Sequence, residues 1–252
     1  MSAQKYKHAP IVEAVLEFRF ESEADASFLD EMARKLKHEF PKQEDQKKRE
    51  FQLAITDSGS SSIGAKFDKT HEESVKRLVD SDGARVVLLS ASAINVSRLP
   101  PYDSFDDLRG DAELVWDAAY KLTGVRKLKR IGLRYINRID LQLDDEEKIS
   151  FEEYLNLRIN VPKKYETIGK YSLVFEFDIP EIECFAKVRS SVIDPALINH
   201  ASFILDIDVF RLDELPLKKA DVFKLICEMR QAKNDMFEEF ITDKARAIFN
   251  AD

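Results

Sequence analysis

The sequence predicts an α+β fold, in which one curved antiparallel sheet carries long helices on one of its faces. Three observations support this prediction. Strand patterns of period two alternate with helical patterns, and the order of strand, helix, several strands and long helix occurs twice. A Leu-Pro pair, Leu99-Pro100 or Leu215-Pro216, ends the last strand of each set. We therefore expect two related halves, 1–124 and 125–252, joined about a pseudo-twofold axis into one continuous domain.

The first half opens with a half-buried strand over 11–20. Its inward positions are apolar: Val12, Ala14, Leu16, Phe18 and Phe20. Apolar residues at helical spacing predict a helix over 24–40, which Pro41 ends. Strands follow over 51–55, 63–67, 75–80 and 84–99, with a loop at 58–62 and a hairpin turn at Asp82-Gly83. Ser104 can cap a helix that ends at Gly124.

The second half repeats this order. Alternating residues predict strands over 130–143, 171–177, 183–192 and 202–212, with a short helix over 151–157 after the first of them. A long helix over about 217–240 should bury one stripe, formed by Val222, Ile226, Met229, Lys233 and Phe237. Thr242 can cap a last helix over 244–249.

The charge balance bears on the kind of partner. The chain has 252 residues and a net charge of −8, with 18 cations against 23 anions in 1–124 and 21 against 24 in 125–252. Because a protein that coats nucleic acid needs a positive field, we expect no nucleic acid as the main partner, although a local basic patch remains an alternative. The 44% hydrophobic content is enough to form a core.

Motifs for cofactors are missing from the sequence. The seven glycines form no phosphate-binding loop, and the four histidines show no zinc-binding spacing. Cys184 and Cys227 lie far apart in the sequence and form no disulfide framework or redox motif. We predict no metal and no cofactor. The first residues lack a signal-peptide pattern and no apolar run could span a bilayer, so we expect a cytoplasmic protein without membrane contact.

A cluster of charges at the start of the strand at 130–143, and just before it, is the main candidate site. It contains six cations within thirteen residues: Arg126, Lys127, Lys129, Arg130, Arg134 and Arg138. Arg134 and Arg138 should share one face of the strand, whereas Tyr135 and Asn137 should lie on the other face. The equivalent strand of the first half carries Glu13 and Glu17. We expect these glutamates either to meet Arg134 and Arg138 across the join between the halves or to line a concavity with them.

Two interpretations of this cluster stay open. The first is a structural set of ion pairs that holds the two halves together. The second is a polar floor for an anionic ligand or a charged partner, because the arginine fork matches carboxylate and phosphate groups. The candidate binding residues are Arg134, Arg138, Glu13, Glu17, Arg130, Tyr135 and Asn137.

Carboxylates elsewhere allow two further hypotheses. Asp206 and Asp208 share one face of a strand and could bind a metal or act as an acid–base pair, although such a face is more often only solvated. Acidic clusters are expected on exposed loops and helix starts, and an exterior of this kind can steer a basic protein partner. They are Glu21, Glu23 and Asp25; Asp103, Asp106, Asp107 and Asp111; and Asp144-Asp145-Glu146-Glu147.

Four stretches resemble a sporadically distributed family of uncharacterised bacterial proteins of about this length. They are Ala9-Pro10-Ile11-Val12-Glu13-Ala14; Arg130-Ile131-Gly132-Leu133-Arg134-Tyr135-Ile136-Asn137-Arg138-Ile139; Pro101-Tyr102-Asp103-Ser104-Phe105; and Asn234, Phe237 and Phe240-Ile241-Thr242. Members of the family often have tryptophan where this chain has Phe105. The resemblance implies no established activity, but a patchy distribution implies an accessory role such as defence, toxin neutralisation or immunity.

The element order is also similar to that of TATA-binding-protein-like folds and of helix-grip folds of the Bet v 1 type. A similarity of fold does not determine function.

From these observations we expect non-catalytic recognition of a protein partner. The alternative is a sensor that binds a small anion or a nucleotide between the sheet and the long helices, with Arg134 and Arg138 as its anchors. A nucleic-acid-binding module is the third hypothesis, and an enzyme is less favoured.

Overall fold

A computed structural model describes residues 6–25, 27–56, 64–143, 150–162, 164 and 169–251, with the backbone alone for 48–56 and 64–72. The strands are β1 (Ile11–Phe20), β2 (Lys42–Thr56), β3 (Gly64–Val79), β4 (Arg85–Leu89), β5 (Ala93–Arg98), β6 (Leu128–Gln142), β7 (Ser172–Ile179), β8 (Cys184–Ile193) and β9 (His200–Arg211). The helices are α1 (Phe28–Leu36), α2 (Phe105–Thr123), α3 (Lys219–Phe240) and α4 (Asp243–Phe249). None of these helices is both long enough and apolar enough to cross a membrane.

All nine strands form one antiparallel sheet, so the predicted α+β class with an antiparallel sheet is confirmed. The strand order is β2-β3-β4-β5-β1-β6-β9-β8-β7. The first strand of each half, β1 or β6, lies at the centre of the sheet, and these two strands pair with each other. On its other side each pairs with the last strand of its own half, β5 or β9.

Alternation along the strands places the core on one face of the sheet. On β1, Ala14, Leu16 and Phe18 are fully buried, while the residues between them stay partly exposed. Helix α2 contacts β1 and β5, α3 contacts β6 and β9, and α1 packs on α2 and β3. The buried residues of these helices and strands form one continuous apolar cluster. The helices in the described part of the chain therefore all lie on one face.

Several predicted boundaries differ from the structure. The strand predicted over 84–99 is two strands, because the Ser90 hydroxyl accepts a hydrogen bond from the amide of Ala93 and stabilises a turn between them. The strands predicted at 63–67 and 75–80 are one continuous strand, β3, and β2 begins at Lys42 rather than at residue 51. The segment predicted as a helix over 151–157 contains only a 3₁₀ turn, Phe151–Glu153.

Other local predictions are confirmed. Gly83 has a φ of 85°, as expected for the hairpin turn at Asp82-Gly83. Ser104 and Thr242 both cap their helices through their hydroxyl groups. The stripe predicted on the long helix, including Lys233, is buried on α3. The loop predicted at 58–62 and the acidic run at 144–147 lie outside the described residues.

Asp111 is not an exposed acidic residue, as the sequence suggested, but a buried anchor of α2. Only 6% of its surface is exposed. It accepts hydrogen bonds from Arg98 Nε at 2.7 Å, and it forms an ion pair with Arg85 Nη2 at 2.6 Å. Because Arg85 and Arg98 belong to β4 and β5, this carboxylate attaches the helix to two strands.

Replacing the Asp111 carboxylate should destabilise the protein strongly. In Asp111→Asn, two largely buried guanidinium groups lose their nearest counter-charge and keep only Glu39 and Asp103, at 3.7 and 3.9 Å. We therefore expect the free energy of unfolding to fall by about 3 kcal/mol. Denaturant unfolding measures this loss. The matched control is Asp117→Asn on the same helix, where the carboxylate makes an exposed pair with Lys219 and should cost less than about 1 kcal/mol. Equal effects in the two variants would contradict the anchoring role of Asp111.

Candidate functional site

The face of the sheet that the described helices leave uncovered, here called the open face, carries the predicted arginines. On β6, Arg130, Arg134 and Arg138 lie on this face, whereas Tyr135 and Asn137 are buried on the helix side. Ile136 of β6 and alternate residues of β1, β7, β8 and β9 lie on the same face. The residues of these four strands are Glu13, Val15, Glu17, Val174, Glu176, Asp178, Phe185, Lys187, Arg189, Ile204, Asp206, Asp208 and Phe210.

Arg134 makes a two-pronged ion pair across the strands. Its Nε and Nη2 atoms donate to the two carboxylate oxygens of Asp206, each at 2.8 Å. Arg189 Nη1 donates to the same carboxylate at 3.1 Å, so the buried Asp206 holds guanidinium groups from two strands. The pKa of Arg134 is raised, chiefly by its hydrogen bonds to Asp206 and to a smaller extent by the charge of Glu13.

Arg130 forms the second centre of charge on the open face. Its Nη2 atom donates to both oxygens of Asp208, at 3.0 and 2.9 Å, and its Nη1 atom donates to Glu17. The guanidinium also lies over the ring of Phe210, 4.6 Å from the centroid. It occupies the space left by the missing side chain of Gly132, where an added Cβ would overlap it. We call Glu17, Arg130, Asp208, Arg134, Asp206 and Arg189 the ion-pair ladder.

The observed partners differ from the expected ones. Glu17 reaches Arg130 rather than Arg134 or Arg138, because the register places Val15 beside Arg134 and Glu17 beside Gly132. Arg138 donates to Asp140 on its own strand at 2.9 Å and also to Ser202. The ladder therefore runs from β1 to β8, and carboxylates of β9 link its arginines. The sequence analysis considered only the first strand of each half and did not pair these arginines with β9.

Asp206 and Asp208 do not form a free carboxylate pair. Each oxygen that could bind a metal or move a proton already accepts a hydrogen bond from an arginine. In the part of the chain that the structure describes, no group of three or more His, Cys, Asp or Glu side chains could hold a metal ion. The geometry of these aspartates thus favours charge pairing.

Two aromatic residues that the sequence interpretation did not single out lie beside the ladder. Phe185 on β8 and Phe210 on β9 occupy directly paired positions, and their rings stack with centroids 5.8 Å apart. Phe185 remains 37% exposed. The signal that could have identified this row is the alternation Phe185, Lys187, Arg189 between buried neighbours on β8.

A groove of about 630 Å³ opens on the sheet next to the ladder. Glu17 and Arg130 line one side of it, and Glu73, Leu88 and Asn95 line the side formed by β3, β4 and β5. Leu212 and Asp213, directly after β9, complete its wall. The groove therefore joins both halves of the chain and mixes charged, polar and apolar surface.

Tyr135 and Asn137 are buried on the helix side of the sheet and do not reach the open face. The hydroxyl groups of Tyr135 and Tyr102 lie 2.7 Å apart, and Asn137 donates to the carbonyl of Leu205 at 2.9 Å. Lys233 of α3 lies against Tyr135, with Nζ 3.9 Å from the ring centroid. Arg134 and Arg138 face the opposite way, so they do not line a cleft between sheet and helices, where the sensor hypothesis placed them.

Lys233 is an unusual core residue, because only 7% of its surface is exposed. Burial lowers its pKa to about 7, the charge of Arg230 acts in the same direction, and Glu238 opposes them. Arg230 itself lies over the ring of Phe105, 4.8 Å from the centroid. Two cations of α3 thus contact aromatic rings of β6 and α2.

Comparison with models of known protein families and with curated proteins finds no match to this chain.

Filling the space above Gly132 should displace Arg130. We expect Gly132→Ala to lower the free energy of unfolding by about 1 kcal/mol, although alanine normally suits a strand better than glycine. In an Arg130→Met background the same change should be neutral or stabilising, because the crowded guanidinium is gone. A double-mutant cycle by denaturant unfolding measures this coupling. Strictly additive effects would show that Arg130 does not occupy this space.

Removing the charge of Lys233 should stabilise the protein at low pH. Since the pKa is about 7 in the folded chain and near 10.5 in the unfolded chain, only the unfolded chain binds the proton between these values. Wild-type stability should therefore rise with pH across this window. We expect the stability of Lys233→Met relative to wild type to be higher at pH 6 than at pH 10 by about 4 kcal/mol. Thermal unfolding at several pH values tests it, and a constant difference would contradict it.

Proposed function

We propose that this chain is a non-catalytic recognition protein of the bacterial cytoplasm, and that its open face binds a protein partner. One observation carries the proposal: the described helices leave a broad sheet face uncovered, and its ion-pair ladder lies beside a stacked aromatic pair in which Phe185 is exposed. Aromatic residues and arginine are the side chains that contribute most to binding at protein interfaces. Phe185, Phe210 and Arg130 supply both kinds within one patch.

The arginines of the ladder already pair with carboxylates, and this pairing argues against a small anion as the ligand. Arg134 already has two carboxylate contacts and Arg130 has partners on both neighbouring strands. An anion would have to displace these carboxylates and leave them without their counter-charges, which costs several kcal/mol when a group is buried. A protein partner can instead contact the paired charges from above and leave the pairs intact.

The same pairing argues against nucleic acid. Stacked aromatic residues on a sheet occur in proteins that bind single strands, and Phe185 and Phe210 satisfy that part of the requirement. The backbone of a nucleic acid also needs free cations, however, and Lys187 pairs with Glu176 while Arg189 pairs with Asp206. A face of paired charges supplies little net positive field.

The exterior charge favours a basic partner. With a net charge of −8, long-range attraction would accelerate association with a cationic protein. The resemblance to a sporadically distributed bacterial family implies an accessory system, and we propose a role of the defence, antitoxin or immunity type. A nuclease-like toxin has the basic surface that this attraction requires.

We also propose that the two halves are a duplicated unit with a TATA-binding-protein-like arrangement. Supporting this, the strand order runs outward from the centre in the same way in both halves, as β1-β5-β4-β3-β2 and as β6-β9-β8-β7. In each half the last strand leads to a long helix, α2 or α3, on the same face. A partner that straddles the β1–β6 join would contact both units, as the groove beside the ladder does.

The test is binding to the products of neighbouring genes. Each is purified, mixed with the protein and titrated by calorimetry, with nucleotides and a single-stranded oligonucleotide as competing ligands. For the complex found, Phe185→Ser should weaken binding about tenfold or more, because it removes an exposed aromatic contact. The control is Tyr120→Ser, which removes a more exposed aromatic residue, 53% against 37%, from α2. The absence of any complex, or an equal loss in both variants, would overturn the proposal.

A further inference from the structure

We propose that the outer edge of β7 accepts an extended, basic strand from a protein partner, which would become a tenth strand of the sheet. This inference rests on the sheet edge and does not depend on what binds the open face. The sheet ends at β7, and no strand in the described part of the chain pairs with its outer side. A strand at such an edge presents unpaired amide and carbonyl groups that can hydrogen-bond another chain.

The register shows which groups point outward. The amide of Val192 donates to the carbonyl of Tyr171 at 3.2 Å, so residues 171 and 192 form a hydrogen-bonded pair just before β7. Hydrogen-bonded pairs alternate along an antiparallel ladder. With Ser172 opposite Ser191 and Val174 opposite Arg189, the amides of Val174, Glu176 and Asp178 therefore point away from β8.

The two edges of the sheet differ in how they are protected. The sequence of β2, at the opposite edge, contains Lys42, Lys47, Lys48 and Arg49, and lysine is a common guard against edge pairing. The sequence of β7, Ser-Leu-Val-Phe-Glu-Phe-Asp-Ile, contains no lysine, arginine or proline. Val174 is 56% exposed on the open face, and Phe177 is 39% exposed on the helix face. An added strand would thus find apolar neighbours on both of its faces.

Charge identifies the kind of strand. Glu176 and Asp178 lie on β7, and Glu181 follows directly after it. Glu176 has Lys187 as a partner at 2.5 Å, whereas Asp178 and Glu181 have no cation partner among the described residues. A second copy of this chain would bring the carboxylates of both copies together along one seam. A strand with lysine or arginine at alternate positions would instead pair with them.

The test uses a labelled peptide of alternating lysine and valine with the length of β7, titrated with the full chain by fluorescence anisotropy. We expect saturable binding that weakens as salt is added, and we expect no binding of the matched peptide of alternating glutamate and valine. Val174→Pro should weaken binding about tenfold or more, since proline blocks the edge at an outward amide that the sheet itself does not use. Val174→Thr keeps this amide and should bind as wild type does. Asp178→Lys should also weaken binding.

Circular dichroism and unfolding curves of Val174→Pro should match those of wild type. This match would show that the substitution weakens binding because it blocks the edge and not because it unfolds the protein. Any of four outcomes would overturn the proposal. Equal binding of the two peptides would remove the charge argument, and undiminished binding by Val174→Pro, or by Asp178→Lys, would place the peptide elsewhere. Self-association of the wild type that Val174→Pro abolishes would make a second copy the occupant.

Discussion

The register of β6 between β1 and β9 is the constraint on which the rest of the structure depends. Successive side chains of a strand point to opposite faces, so a slip of one residue would exchange the two faces of β6. Arg130, Arg134 and Arg138 would then enter the core, and Leu133 and Tyr135 would face solvent. The cost of burying unpaired guanidinium groups is high enough to exclude that register. The row of arginines on one face of β6 therefore specifies the pairing of the two halves as strongly as the row of apolar residues on its other face does.

The same constraint explains why the open face is polar and yet nearly neutral. Its cations come mainly from β6 and β8, and its anions come mainly from β9 and β1. Each charge of the ion-pair ladder has a partner on a neighbouring strand, and Gly132 leaves the space in which Arg130 can lie against Phe210. A surface of this kind is stable without a covering layer. It can also offer aromatic and arginine side chains to a partner without the need to desolvate free charges.

Polar groups on the helix side have a different task. Asp111 fastens α2 to β4 and β5 through two arginines, and the Tyr102–Tyr135 hydroxyl pair links the start of α2 to β6. Lys233 attaches α3 to the same tyrosine through its ring, at the cost of burying a charge. Hydrogen bonds and ion pairs are directional, so these contacts define the orientation of the helices on the sheet more precisely than apolar packing alone does. The two faces of β6 thus differ in their contacts: the helix side carries the residues that orient the helices, and the open face carries the ion-pair ladder.

The sequence by itself determined the class of the fold, the position of its long helices and the inward face of each central strand. Local patterns carry this information, since the periods of two and 3.6 residues and capping residues such as Ser104 and Thr242 depend only on near neighbours. Tertiary structure alone decided which charges meet. Glu17 and Arg130 are 113 residues apart, and Arg134 and Asp206 are 72 residues apart, so their pairing follows from strand order and register. For the same reason Asp111, an acidic residue in an apparently polar helix, became a buried anchor: its partners come from strands that only the folded chain brings beneath it.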